Sequence, residues 1–158
     1  HEMLVSVTSF MRDPEAFAVA SKQLAGILAE KRDGDEFRLW VAACATGEEA
    51  YSFCFLIDEL VRKTGKRIGV RVFATDLDRP ALEFAREGVY SERQVESLPQ
   101  IYRDRYFDRL GNGYRVHKRI RDQIVFARQD LVQNPPFVRI DFVSCRNVLI
   151  YFEAELQT

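Results

Sequence analysis

With 158 residues, 47% of them hydrophobic and 30% charged, the chain has the balance of a single soluble globular domain able to bury a core. A net charge of −1 supplies no basic field for nucleic acid, and no apolar run approaches the roughly 18 residues needed to span a bilayer. Cys44, Cys54 and Cys145 stand far apart without a C-x-x-C pair. That argues against a zinc site or a secreted disulfide framework and for a reducing, cytoplasmic compartment. No signal peptide, repeat or low-complexity tract is visible.

His1-Glu2-Met3 reads as the remnant of an expression tag, and residues 4–12 as a mixed polar and apolar lead-in. Asp13 followed by Pro14 predicts the cap and first residue of a helix with an apolar face of Phe17, Val19, Ala20, Leu24, Ile27 and Leu28, ending near Lys31. After a turn at Asp33-Gly34-Asp35, a first strand is expected at about 38–43. The helix after Gly47 carries Tyr51, Phe55, Leu56, Leu60 and Val61 and stops near Thr64-Gly65. The second strand, Gly69 to Thr75, ends in Asp76-Leu77-Asp78, and Pro80 opens a helix closed by Gly88. This β-α-β-α order, with its long connections, predicts parallel strands. Residues 89–123 break the rhythm with a short helix from Ser97-Leu98-Pro99 to Tyr106 or Phe107, a tight hairpin turn from Leu110 to Tyr114, and a basic run from His117 to Arg121. A third strand, Ile124 to Ala127, ends at Asp130-Leu131. A fourth, Ile140 to Cys145, is followed by Arg146-Asn147 and the apolar Val148 to Phe152.

The stretch from Leu39 to Ser52 organises the rest. It reads as strand, tight turn and helix. Small residues at such a turn admit a ligand to the backbone, the new helix offers unpaired N–H groups, and the crevice beyond the strand's carboxyl end is where ligands sit in open α/β sheets. Glu48 and Glu49 suit a helix start but would repel a phosphate there, so a ligand with hydroxyls and a positive centre fits better than a pyrophosphate. The plainer alternative is an ordinary βα turn. Glu48, Asp76, Asp130 and Asn147 each fall at or just past the carboxyl end of a different expected strand. Each alone could be a cap or turn residue. Together they converge on one edge, and a carboxylate after the second strand is the usual device for gripping ribose hydroxyls. Neither G-x-G-x-x-G nor G-x-x-x-x-G-K-[ST] occurs, which argues against nicotinamide and ATP chemistry.

Four ordered motifs now point to a family. They are Val7-Thr8-Ser9-Phe10-Met11-Arg12-Asp13, Ala42-Ala43-Cys44-Ala45-Thr46-Gly47-Glu48-Glu49, Phe73-Ala74-Thr75-Asp76-Leu77-Asp78 and Cys145-Arg146-Asn147-Val148-Leu149-Ile150-Tyr151-Phe152. Over nearly its whole length the chain resembles the CheR-type chemotaxis-receptor methyltransferases, which transfer a methyl group from S-adenosylmethionine to glutamate side chains of chemoreceptors. Asn134-Pro135-Pro136-Phe137 looks more like the branch fused to methylesterase and sensor domains. The resemblance implies an α/β Rossmann-like methyltransferase core, three-layer α/β/α, truncated after the fourth strand and carrying a small inserted hairpin. It implies that Thr8 and Arg12 reach the cofactor from the lead-in, that Ala43 and Gly47 bind the cofactor, that Glu48 lies near its amino-acid part, and that Asp76 holds the ribose or adenosine. Asp130-Leu131, where many members have Asn-Leu, would lie by the adenine, and Asn147 matches the Asn of the fourth-strand motif. Arg12 and Tyr151 match the pair near the transferred methyl. No metal is implied; S-adenosylhomocysteine is the product, and chemoreceptor cytoplasmic helices or a related signalling protein are the partners.

The chemistry agrees with those roles. A glutamate carboxylate is already a nucleophile at pH 7, so alignment and desolvation matter more than a base. Arg12 could hold the substrate carboxylate, or form a structural ion pair. Tyr151 could orient a reactant, or be a core aromatic. Cys44 and Cys145 read as small buried residues rather than nucleophiles. The Lys118-Arg119-Ile120-Arg121 run reads as a solvated face, with contact to an acidic receptor helix as the alternative. Set against the family, the N-terminal helical domain and the last strands are expected to be absent, leaving 1–158 as a partial cofactor-binding domain with the fourth strand at an exposed edge. That edge predicts dimerisation or strand exchange. The hairpin is shorter than the insertion that docks receptor tails in the family. A non-catalytic sensor of S-adenosylmethionine or S-adenosylhomocysteine and a folded interaction domain are the competing readings.

Overall fold

The computed structural model describes residues 9–128, 139–145 and, as backbone, 148–151. Asp13 opens α1 (Pro14–Glu30): its carboxylate accepts the Ala16 N–H at 3.1 Å, and Pro14 stands where no intrahelical N–H is needed. β1 (Glu36–Ala42) runs through the turn 43–47 into α2 (Glu48–Thr64), which Gly65 closes in the left-handed conformation. β2 (Gly69–Asp76) leads to α3 (Arg79–Glu87), capped by the Asp78 carboxylate and closed by Gly88. Then come β3 (Val89–Ser91), α4 (Glu92–Val95), α5 (Gln100–Tyr106), β4 (Phe107–Leu110), β5 (Gly113–Val116), α6 (Lys118–Arg121), β6 (Ile124–Arg128), β7 (Phe142–Cys145) and β8 (Val148–Tyr151).

The main sheet has the order β6-β2-β1-β7-β8. The first four are parallel, as the long helical connections require; β8 is antiparallel to β7, with Cys145 opposite Val148. The expected exposed fourth strand is therefore corrected. Only Arg146-Asn147 separate β7 from β8, so the chain returns beside β7 and pairs its outer edge. Among the described strands the sheet edges are β6 and β8. The inserted segment is also larger than a hairpin, because β3 joins it in a three-stranded sheet of order β3-β5-β4.

Strand alternation divides the core. Leu39, Val41, Val72, Ala74 and Phe142 face one side with buried residues of the described helices, whereas Trp40, Phe73, Val143 and Ile140 form a smaller cluster. The Trp40 indole N–H donates to Thr75 Oγ1 at 3.0 Å. The helices α5 and α6 that flank the small sheet are held to α2 by charge as well as apolar packing. The Tyr106 hydroxyl lies 2.7 Å from Asp58 and 2.5 Å from Glu59, Arg119 donates to Asp58 at 2.9 Å, and Arg105 donates to Glu59 at 2.6 Å. Burial alone would raise the Asp58 carboxyl, but hydrogen bonds from Arg119, Tyr106 and Arg62 outweigh it and hold the group below its ordinary 3.8. The basic run is thus not simply a solvated face. Arg119 pairs with Asp58, Lys118 with Asp122, Arg121 donates to the Val116 carbonyl, and Ile120 is buried.

Candidate functional site

Parallel β1, β2, β6 and β7 bring their carboxyl ends to one side of the sheet, and the chain order reverses between β1 and β7. Such a reversal point is where a crevice opens in α/β sheets. The turn after β1 is built for that place. Ala43 (φ 58°), Ala45 (φ 50°) and Gly47 (φ 100°) all take the left-handed region. For each alanine that conformation costs on the order of 1–3 kcal/mol and persists only where the surroundings impose it. Here Cys44 N–H donates to Thr75 O at 2.9 Å, Gly47 N–H to Cys44 O at 3.0 Å, and Ala45 N–H to Asp76 Oδ2 at 2.8 Å. The second Asp76 oxygen accepts the Asp78 N–H at 2.9 Å. One carboxylate therefore ties the two turns together. It is half-buried, and each oxygen has a further lone pair with which to accept a hydroxyl.

Gly47 also has a packing role. A Cβ on it would lie 2.8 Å from both Ala85 Cβ and the Tyr90 hydroxyl, so its bareness admits α3 and β3. Tyr90 uses that space to donate to the Thr46 carbonyl at 2.6 Å.

The two glutamates separate. Glu48 is 2% exposed, with the Thr46 hydroxyl donating to it at 2.5 Å. Glu49 is half-buried and accepts a hydrogen bond from the hydroxyl of Ser144, itself wholly buried on β7. Glu49 thus bridges α2 to the strand across the chain reversal, and Glu48, the residue singled out from the sequence, turns inward. The sequence contained no signal to choose between them, since adjacent helical residues differ by about 100° of rotation and only packing fixes which points where.

Arg12 is exposed. Its position is fixed by its neighbours. Met11, at φ 47°, donates its N–H to Ser52 Oγ at 2.9 Å, and Ser97 Oγ donates to the Phe10 carbonyl at 3.3 Å. The Phe10 ring, 1% exposed, packs edge-on against Tyr90 and Phe107 at 4.9 and 5.8 Å. The lead-in thereby docks one helical turn beyond Glu48. Thr8, Asp130, Leu131 and Asn147 lie outside the described residues. The backbone of Tyr151 pairs with Phe142, at the amino end of β7, so the antiparallel return carries it away from the carboxyl ends.

Burial pushes the Cys44 thiol up to about 12, and the nearby negative charges of Asp76, Glu49 and Glu48 add to the rise. The thiol stays protonated and is no nucleophile, in keeping with the sequence reading. The same three carboxylates make a field that favours a ligand with a positive centre. A pair of hydroxyl acceptors and an electronegative wall suit an adenosyl sulfonium far better than a pyrophosphate.

A family model described as CheR methyltransferase, SAM binding domain, matches residues 6–158. The chain belongs to the CheR methyltransferase family. S-adenosylmethionine is accordingly the cofactor of this CheR domain. The chain is 42% identical to an uncharacterized 104.1 kDa protein of Rhodobacter capsulatus, over 99% of this chain and 16% of that protein. It is 36% identical to a chemotaxis protein methyltransferase of Listeria monocytogenes, over 96% of this chain and 56% of the relative. With a chemotaxis protein methyltransferase of Escherichia coli the identity is 33%, over 99% of this chain and 54% of the relative. The CheR domain thus spans about half the length of these two chemotaxis methyltransferases. Among the described residues, no helix is long and apolar enough to cross a membrane.

Proposed function

We propose that this chain is the cofactor-holding part of a methyltransferase that esterifies glutamate side chains on the cytoplasmic helices of chemoreceptors or of a related signalling protein. The observation that carries the reading is Asp76, a carboxylate fixed by two backbone N–H groups at the carboxyl end of β2 beside the left-handed turn of β1. When bound, S-adenosylmethionine supplies an electrophilic methyl group on a cationic sulfur. Asp76 accepts hydrogen bonds from ribose hydroxyls. Glu49, steadied by Ser144, would offer its carboxylate to the cofactor's amino group, and the combined negative field favours the positive centre. The substrate glutamate is ionised at pH 7 and needs no base, so the protein's part is to orient it and remove water. Arg12 holds that carboxylate through its permanently charged fork. Its placement beside the start of α2 supports this role. The reading rests on Arg12 more than on Tyr151, whose backbone pairing supplies no such support.

The test uses the full-length protein with methyl-labelled cofactor and receptor cytoplasmic fragments. Base-labile, methanol-releasing label that Asp76→Ala abolishes is the expected result. Cofactor binding without transfer to any fragment would favour a sensor, and no binding would overturn the reading.

A further inference from the structure

Tyr90 lies in the small sheet, outside every motif that marks the site, yet two parts of the site rest on it. It is 1% exposed on β3. Its hydroxyl donates to the Thr46 carbonyl at 2.6 Å, within the turn that Asp76 ties down. The absent Cβ of Gly47 is what lets the hydroxyl in. Its ring meets Phe10 edge-on at 4.9 Å, two residues before Arg12, and Phe84 of α3 at 5.6 Å. On the far side, β5 presses on its backbone, where a Cβ on Gly113 would lie 2.5 Å from the Tyr90 carbonyl. Burial, helped by Tyr51, Glu48 and Cys44, raises the phenol well above its ordinary range, so the hydroxyl remains a donor throughout the neutral and mildly alkaline range.

We propose that Tyr90 is a positioning residue for methyl transfer: through its hydroxyl the small sheet sets the shape of the cofactor turn, and through its ring it sets the lead-in that carries Arg12. This rests on the cofactor reading above. The turn holds two alanines in a conformation they resist, so it needs an anchor besides Asp76, and the phenol bonded to the Thr46 carbonyl is that anchor. The small sheet and the cofactor turn are thereby one mechanical unit.

Tyr51 provides a matched control. It too is fully buried in the aromatic cluster, and its hydroxyl donates to a carbonyl outside the turn, Ala85 O in α3, at 2.7 Å, so its deletion leaves the bond to the Thr46 carbonyl intact. Tyr90→Phe and Tyr51→Phe each delete one buried hydroxyl-to-carbonyl bond. In the full-length protein, S-adenosylhomocysteine is titrated calorimetrically into wild type and both variants, with urea unfolding of each alongside. The two variants should lose similar stability. Tyr90→Phe should weaken cofactor binding about five- to tenfold, the scale of one lost net hydrogen bond, and Tyr51→Phe less than about twofold. Equal affinities for the two variants, with wild type binding, would overturn the inference alone. A wild type that does not bind would overturn it together with the cofactor reading.

Discussion

Replacing Gly47 with alanine tests the turn most directly. The residue sits at φ 100°, and strain of this kind in a non-glycine residue costs about 1–3 kcal/mol. The new methyl would also lie 2.8 Å from Ala85 Cβ and 2.8 Å from the Tyr90 hydroxyl, far inside a van der Waals contact of about 3.5–4.0 Å. Neither neighbour can swing away, because Ala85 is a buried residue of α3 and Tyr90 is 1% exposed. Overpacking of this kind adds about 1–3 kcal/mol, for a total loss of about 2–6 kcal/mol out of the 5–15 typical of a domain. Gly26, inside α1 with no atom within 4 Å of a built Cβ, is the opposite case, and Gly26→Ala should stabilise by about 0.5–1 kcal/mol. Urea unfolding of both variants against wild type reads the two signs in one experiment. A Gly47→Ala variant within about 0.5 kcal/mol of wild type would refute the claim that this glycine exists to admit Tyr90 and α3.

Glu49→Gln should weaken binding of S-adenosylhomocysteine by calorimetry, whereas Glu48→Gln should chiefly lower the unfolding free energy, since only Glu49 bridges to Ser144 on β7. Asp58→Asn removes the acceptor shared by Arg119, Tyr106 and Arg62 and should cost about 1–3 kcal/mol at pH 7 in urea unfolding. Because the folded carboxyl titrates below its ordinary value of 3.8, its contribution is complete above that pH and is lost as pH falls through the depressed value. The gap between wild type and Asp58→Asn should therefore close in acid. Gly113→Ala, which would push on the Tyr90 carbonyl from β5, should lower cofactor affinity despite lying in the hairpin; unchanged affinity in a folded variant would sever the small sheet from the cofactor turn.

The elements legible in the sequence were those whose causes are local. Asp13-Pro14 capped a helix, Gly65 and Gly88 ended helices in the left-handed region, and the turn around Gly111 closed a hairpin, because a cap, a positive φ or a tight turn constrains the residue itself. Asp76 was legible because its position at a strand end carries the meaning. What escaped depends on distant pairing. β3 is three residues that become a strand only beside β5, and β8 makes sense only as a partner for the edge of β7. The basic run read as solvated because its partner, Asp58, is 61 residues away from Arg119. Tyr90 carried no signal at all, since nothing in a Gly-Val-Tyr triplet announces which carbonyl its hydroxyl will meet.

Trp40 is the sole tryptophan of the chain, and its indole N–H is bonded to the hydroxyl of Thr75, the residue immediately before Asp76. The protein thus carries its own fluorophore hydrogen-bonded to the neighbour of the carboxylate proposed to grip the cofactor. Its emission spectrum is a built-in gauge of the carboxyl end of β2, readable without any label and at concentrations too low for calorimetry.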